Sequence, residues 1–304
     1  MTAGLAAFLV RRLVTGFLFV LVVSSSALVL TRLAPGDAAV ELLPGGLTTM
    51  KANRERLHLD RPIVWQLGEW LQGLAHFDLG RSLLFERPVG ELVRGRAGRT
   101  ATLASVALAL ATIVAIPLGL ATGAYPRSML ARFLAPISLA MVACPPLIAA
   151  LVLLWLALST RWFSVAPGSL AVPALALSLP LAAMMERLQS RATADMMSAP
   201  DLVAAAARGV PPGRLLWVHA ARQSLRPVLG IFGIVIGTVF SGSLAVEWAT
   251  SWPGLGRLMY EAVATRDVFL VTGCAFAGAT MIALGNIVAD LTRALIDPRV
   301  RGQA

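Results

Sequence analysis

The sequence predicts an all-α, polytopic membrane protein. It has six transmembrane helices, a small extracytoplasmic domain after the first, and a cytoplasmic loop of short helices between the fourth and fifth. Three observations lead there. Only 14% of the 304 residues are charged, where a soluble domain carries about 25%. The charges cluster between six uncharged runs: Leu13–Thr31, Thr100–Pro126, Phe133–Thr160, Trp162–Met185, Pro227–Val246 and Val268–Ala289. Each run meets or nearly meets the roughly 20 apolar residues that a helix needs to cross a bilayer core. A soluble core would need six long helices with no polar face. The third observation is the placement of arginine.

Six spans put both termini on one side. With the N-terminus in the cytoplasm, the inside segments hold 13 arginines, and the short outside loops hold only Arg161, Arg257 and Arg266. The long first loop holds the other 10 basic residues with eight acids, and long loops are weakly governed by the positive-inside bias. Both termini are therefore expected in the cytoplasm. The net charge of +10 reads as this bias and as contact with anionic headgroups, not as a nucleic-acid partner.

Taken in order, residues 1–31 hold Arg11-Arg12 and the first span. Its apolar stretch is long for a signal peptide, and Thr31-Arg32-Leu33-Ala34-Pro35 is a poor cleavage site, so the span is expected to be retained. Residues 32–99 form an extracytoplasmic cap with helical patterning over Ile63–Leu74 and turn signals at Pro35-Gly36-Asp37, Pro44-Gly45-Gly46 and Asp78-Leu79-Gly80. Residues 100–304 are the core. Pro145-Pro146 should break or kink the third span. Pro173 and Pro180 make the fourth span irregular by the same argument. The fifth is rich in glycine (Gly230, Gly233, Gly237, Gly242), which allows close helix packing. Asp290, near the inner end of the sixth span, is expected at the interface and paired with Arg293.

The polar stretch 195–226 organises the rest. Ser198 suits a helix N-cap and Pro200 a first turn. Four consecutive alanines then favour helix up to Arg208, and Gly209 suits the left-handed residue that ends one. Pro211-Pro212 turns the chain before a second helix over Arg214–Leu225. Small Ala205 and Ala206 side chains let a partner approach closely, while Arg208 and Arg214 can meet its carboxylates.

Here the chain resembles the inner-membrane permease subunit of ATP-binding-cassette importers, in the dipeptide, oligopeptide and nickel group. That family's loop has a small residue four before a glycine, a histidine ten after it, and a proline eight further on. Ala205, Gly209, His219 and Pro227 stand at those spacings, and Arg222 also matches. Further matches are Asp78 and Gly80, then Glu247 with Pro253, Gly254 and Gly256, then Asp267, Asn286, Asp290, Pro298 and Arg299. The ordered set is similar to the first, B-type permease of these systems. Phe77 stands where the family commonly has glycine, and Ala204 and Ala206 where basic residues are usual.

The resemblance implies a type I importer permease fold with 195–226 as its coupling-helix loop. It implies a second, usually unlike, permease subunit, two ATPase subunits docked from the cytoplasm, and an extracytoplasmic substrate-binding protein. The implied cargo is a peptide or a related solute such as a nickel chelate, metallophore or opine. No catalytic residue, metal site or cofactor is expected. His219 and Ser243 fall on opposite sides of the membrane, and no Walker-type loop occurs. A six-span channel or secondary transporter working without an ATPase is the alternative. It calls for ionisable residues buried at mid-span, where the uncharged runs offer none.

Overall fold

The structure, a computed structural model, describes residues 2–34, 61–161, 166 and 168–296. The helices are α1 (Thr2–Leu33), α2 (Ile63–Ala75), α3 (Val89–Ala124), α4 (Met129–Ala143), α5 (Pro146–Thr160), α6 (Ala171–Met197), α7 (Pro200–Ala207) and α8 (Pro212–Arg214). A π-helical stretch (Leu215–Ala220) leads into α9 (Ala221–Gly230), followed by α10 (Phe232–Ala249), α11 (Leu255–Ala264) and α12 (Val268–Ile296). Among the described residues there is no strand, only an isolated antiparallel bridge between Arg81 and Pro88.

Among the described residues five helices are long and apolar enough to cross a bilayer: α1, α3, α6, α10 and α12. The pair α4–α5, bent by 110°, makes a sixth if it counts as one span. The bend is where Pro145-Pro146 places it. Cys144 ends α4 in an extended conformation, Pro145 is the N-cap of α5 and Pro146 its first residue. A proline has no amide hydrogen to continue the ladder, and the residue before it is pushed out of the helical region.

Two expected boundaries move. The fourth span starts at Ala171 and runs to Met197 as one helix. Pro173 sits in its first turn, where amide hydrogens lack intrahelical acceptors anyway. Pro180 lies inside the helix without ending it, as neighbouring helices allow in membrane proteins. The uncharged run ended at Met185, yet the helix continues through Glu186, Arg187, Arg191 and Asp195. The fifth span is split at Ile231 into α9 and α10. The expected domain boundary at 99/100 falls inside α3.

The chain divides into two compact units, Met1–Arg11 with Thr102–Trp252 and Gly285–Ala304, and Arg12–Ala101 with Pro253–Leu284. In the first, α6 is the hub, packed by α4, α5, α7, α9, α10 and the π-helical stretch. Its contacts with α5 and α10 are built from small residues, with Ala149, Ala150, Ala174, Ala176, Leu177 and Val246 in one buried cluster. On α3, a methyl added at Gly119 would lie 2.6 Å from Gln189 of α6, and one at Gly123 would collide with the Ser190 backbone. Two glycines four apart thus let these helices touch, as small residues do at membrane helix crossings.

In the second unit, Val89 and Val93 of α3 pack with Leu255, Leu258 and Ala262 of α11 and Leu270, Val271 and Cys274 of α12. The N-cap of α11 is Gly254, which has no side chain to accept a helix amide. Thr100 of α3 supplies the oxygen, its Oγ1 accepting from the Leu255 amide at 2.7 Å.

Among the described residues four helices end on a non-glycine left-handed residue: Phe77 after α2, Arg161 after α5, Ser251 after α10 and Arg266 after α11, with φ of 59°, 57°, 54° and 55°. After α2, the Phe77 amide donates to Leu74 O and the Asp78 amide to Gly73 O, the paired bonds of a Schellman cap. A side chain in this region costs about 1–2 kcal/mol relative to glycine. Phe77 is 93% exposed, so it recovers little of that through packing. Phe77→Gly is therefore expected to stabilise the protein by about 1 kcal/mol, measurable as a higher midpoint of thermal aggregation in detergent. A lower midpoint would show that the phenyl ring contributes more than its backbone costs.

Candidate functional site

The elbow between α6 and α10 starts where α6 ends. Ser198 is not the N-cap expected from its sequence position. It is the C-cap of α6, and its hydroxyl donates to Ala194 O at 3.1 Å. Ala199 takes the extended N-cap position of α7, with Pro200 as its first residue. Ala199 has no side-chain acceptor to cap the helix, and proline at the first position has no amide hydrogen to satisfy. Gly209 has φ +85°. Its amide donates to Ala206 O at 2.9 Å, and the Val210 amide donates to Ala205 O at 3.3 Å. This is the same paired cap, here on the residue that adopts it without strain. Pro211 then runs extended and Pro212 starts α8.

One side of the elbow is anchored. Leu202, Leu215, Leu216, Ala220 and Ala221 are buried together with Leu120 of α3, and Ala205 and Val210 pack at their edge. The other side is open. Ala206, Arg208, Gly209, Arg214, His219, Arg222 and Pro227 are all exposed. Beside them Val203, Trp217 and Val218 are 55%, 56% and 55% exposed. The elbow thus offers a partner large apolar groups, the guanidinium groups of Arg208, Arg214, Arg222 and Arg226, and a backbone cleared of side chains at Gly209. Trp217 and Val218 escaped the sequence reading because π-helical bonding spans five residues instead of four. An α-helical count from Arg214 misplaces the residues that follow.

A second cluster gathers on Asp267, which is fully buried. Its Oδ2 accepts from Ser82 Oγ at 2.6 Å and from the Leu83 and Leu84 amides at 2.7 and 3.1 Å. Its Oδ1 accepts from the Leu270 amide at 3.1 Å, capping α12. Asp78 Oδ1 accepts from the Gly80 amide at 2.9 Å. Gly80 has φ +81°, and a methyl there would lie 2.8 Å from Phe269. The loop that begins with the Asp78–Gly80 turn is thus fixed to Asp267 and Phe269, far away in sequence. Elsewhere, Glu247 is buried and its carbonyl accepts from the Trp252 amide at 2.9 Å. Pro253 is half-buried, and Gly254 and Gly256 are buried. Asn286 packs where a methyl on Gly233 would come within 3.0 Å of its Oδ1. Asp290 is half-buried. Pro298 and Arg299, and the side chain of Arg293, lie outside the described residues.

The third cluster was missed. Glu186 is 7% exposed on α6, inside a candidate span. The expectation of spans without interior charge is corrected here. Glu186 Oε1 accepts from Thr122 Oγ1 of α3 at 2.7 Å, and Oε2 accepts from Ser138 Oγ of α4 at 2.9 Å. One turn on, fully buried Gln189 donates through Nε2 to Ser224 Oγ of α9 at 2.8 Å and to Thr193 Oγ1 at 3.1 Å. Glu186 hid just past the end of an uncharged run. Its carboxylate is engaged by two helices, an arrangement of a helix tie and not of an open ion path.

Asp267→Ala should strand the Ser82 hydroxyl and three amides, each costing about 1–3 kcal/mol if left unpaired. Amide exchange at Leu83 and Leu84 is expected to speed up at least tenfold while the elbow amides stay unchanged. Unaltered protection at Leu83 and Leu84 would mean that the loop holds itself.

The family model described as binding-protein-dependent transport system inner membrane component matches residues 115–302. A protein of Brucella abortus named as a peptide transport system permease is 30% identical, covering 98% of this chain and 99% of its own length. The oligopeptide transport system permease protein AppB of Bacillus subtilis is 27% identical, covering 97% and 99%. A protein of Sinorhizobium fredii named as a peptide ABC transporter permease is 29% identical, covering 97% and 99%. With five candidate spans, six if the bent pair counts as one, and this match across the elbow, the chain belongs to the family of binding-protein-dependent transport system inner membrane components, the multi-pass permease subunits of ABC importers.

Proposed function

We propose that this chain is one of two permease subunits, its partner an unlike chain, that together form the pathway for peptides across the cytoplasmic membrane. The names its relatives carry favour peptides over nickel chelates, metallophores and opines. ATP hydrolysis takes place on two separate ATPase subunits, and a substrate-binding protein delivers cargo to the outer face. Both termini and the elbow face the cytoplasm. The arginine bias supports that orientation.

The observation that carries this reading is the elbow itself. Its buried side locks it to α3, and its free side presents Val203, Trp217 and Val218 beside Arg208, Arg214 and Arg222. Such a surface suits an apolar recess rimmed by carboxylates on an ATPase. ATP-driven closure of the two ATPases moves the elbows, and the spans pass from inward-facing to outward-facing. A shift of this kind needs only that ATP stabilise one state over the other.

Reconstituted with its partners in liposomes, the complex should take up labelled peptides only with ATP and the binding protein. Uptake by this chain alone, without ATP, would end the proposal. Gly209→Val tests the elbow. No neighbour in this chain lies within 4 Å of the added Cβ, so within this subunit the change acts through backbone strain, about 1–2 kcal/mol. ATP hydrolysis should continue while uptake falls at least tenfold. Arg208→Glu should weaken association with the ATPase, read as earlier loss of that subunit on a sizing column as salt rises. An unchanged profile would argue that Arg208 meets only lipid headgroups.

A further inference from the structure

The geometry points to α2 as an interfacial helix whose Val64, Gly68, Leu71 and Ala75 face lies among lipid acyl chains, with Arg61 and Trp65 at headgroup level. The helix has three faces. Trp70 is buried and Ile63, Gln66, Leu67, Gly73 and Leu74 are half-buried. Glu69 and Gln72, with Trp65 between them at helical spacing, form a second exposed face that carries the polar groups. Between these lie Val64, Gly68, Leu71 and Ala75, all exposed and all within about 60° of arc at helical spacing. Val64 is 80% exposed. A helix with an exposed apolar face at right angles to its polar face is unsuited to water on every side.

The depth of α2 says what covers that face. The candidate span in α1 ends at Leu33, and the one in α12 begins at Val268. Arg32, one residue inside the first of these ends, donates through Nε to Gln66 Oε1 of α2 at 2.7 Å. Trp70 of α2 is buried against Leu28 and Val268. Leu28 lies about 7.5 Å of helix rise inside the end of α1. These contacts hold α2 at, and partly below, the level where two spans meet water, the depth at which amphipathic interfacial helices lie. The Arg61 guanidinium stacks over the Trp65 ring, 3.7 Å from its centroid. Arginine with tryptophan at this level suits lipid phosphate above and the acyl boundary below.

The test uses the full-length chain with the subunits it assembles with, reconstituted in liposomes. Cys144→Ser and Cys274→Ala remove the native thiols, and single cysteines at Val64, Leu71 or Glu69 carry a bimane label. Lipid brominated near the headgroup should quench the labels at 64 and 71 at least threefold more than the label at 69. Aqueous iodide should show the reverse order. Iodide quenching at 64 and 71 equal to that at 69 would place the face in water and overturn the inference. Protection of 64 and 71 from both quenchers would overturn it too, by showing that protein covers the face. Ala75→Cys, on the same arc, is a second reporter if either variant fails to reconstitute.

Discussion

Glu186 and Gln189 tie α6 to α3, α4 and α9 by hydrogen bonds that apolar packing alone does not supply. Lipid tails are as apolar as leucine, so helices in a bilayer gain no hydrophobic energy by meeting one another. What fixes their contacts is close packing and internal hydrogen bonding. On α6 both occur at one place. Gly119 and Gly123 bring α3 against the backbone of α6, and there Glu186 takes hydroxyls from α3 and α4 while Gln189 reaches α9. A buried carboxylate without donors would be costly. Here each oxygen has one, so the requirement to satisfy Glu186 positions three helices at once.

This arrangement also explains which parts of the fold could be read from sequence. Apolar runs reveal spans because each span needs enough apolar length, and five of the six runs correspond to single long helices or the main part of one. The break at Pro145-Pro146 was legible because missing amide hydrogens act locally. The extension of α6 past Met185 was not. A charge normally ends a span, and Glu186 is tolerated only because Thr122 and Ser138, distant in sequence, lie beside it. Pro180 lies inside α6 without ending it, and that tolerance depends on neighbours that the sequence does not reveal.

The candidate site divides along the same line. The turn at Gly209 was legible because left-handed geometry, helix-forming alanines and paired prolines agree over a dozen residues. Asp78, Gly80 and Asp267 were recognisable as motif fragments, but the fixing of the loop after Asp78–Gly80 to Asp267 depends on tertiary contact. The exposure of Trp217 and Val218 depends on a π-helical stretch, which carries no simple sequence mark.

The elbow and the polar stripe on α6 are mechanically one object. The helix leading into the elbow is α6 and the one leading out is α9. Gln189 donates to Ser224 across them, and Thr193 Oγ1 lies 3.4 Å from the same hydroxyl. The elbow is thus a closed loop, stapled across its base by buried side chains and seated on Leu120 of α3. An open loop pulled at its tip would bend at its base and dissipate the displacement. A stapled one carries both flanking helices with it, and α3 and α4 follow through Thr122, Ser138 and Glu186. On the proposed function, that is how a push on one exposed patch becomes movement of several spans. On the same proposal the 110° break has a use: α4 is hydrogen-bonded to α6 through Glu186, while α5 meets α6 in a buried apolar cluster, so the two arms would respond differently to one displacement.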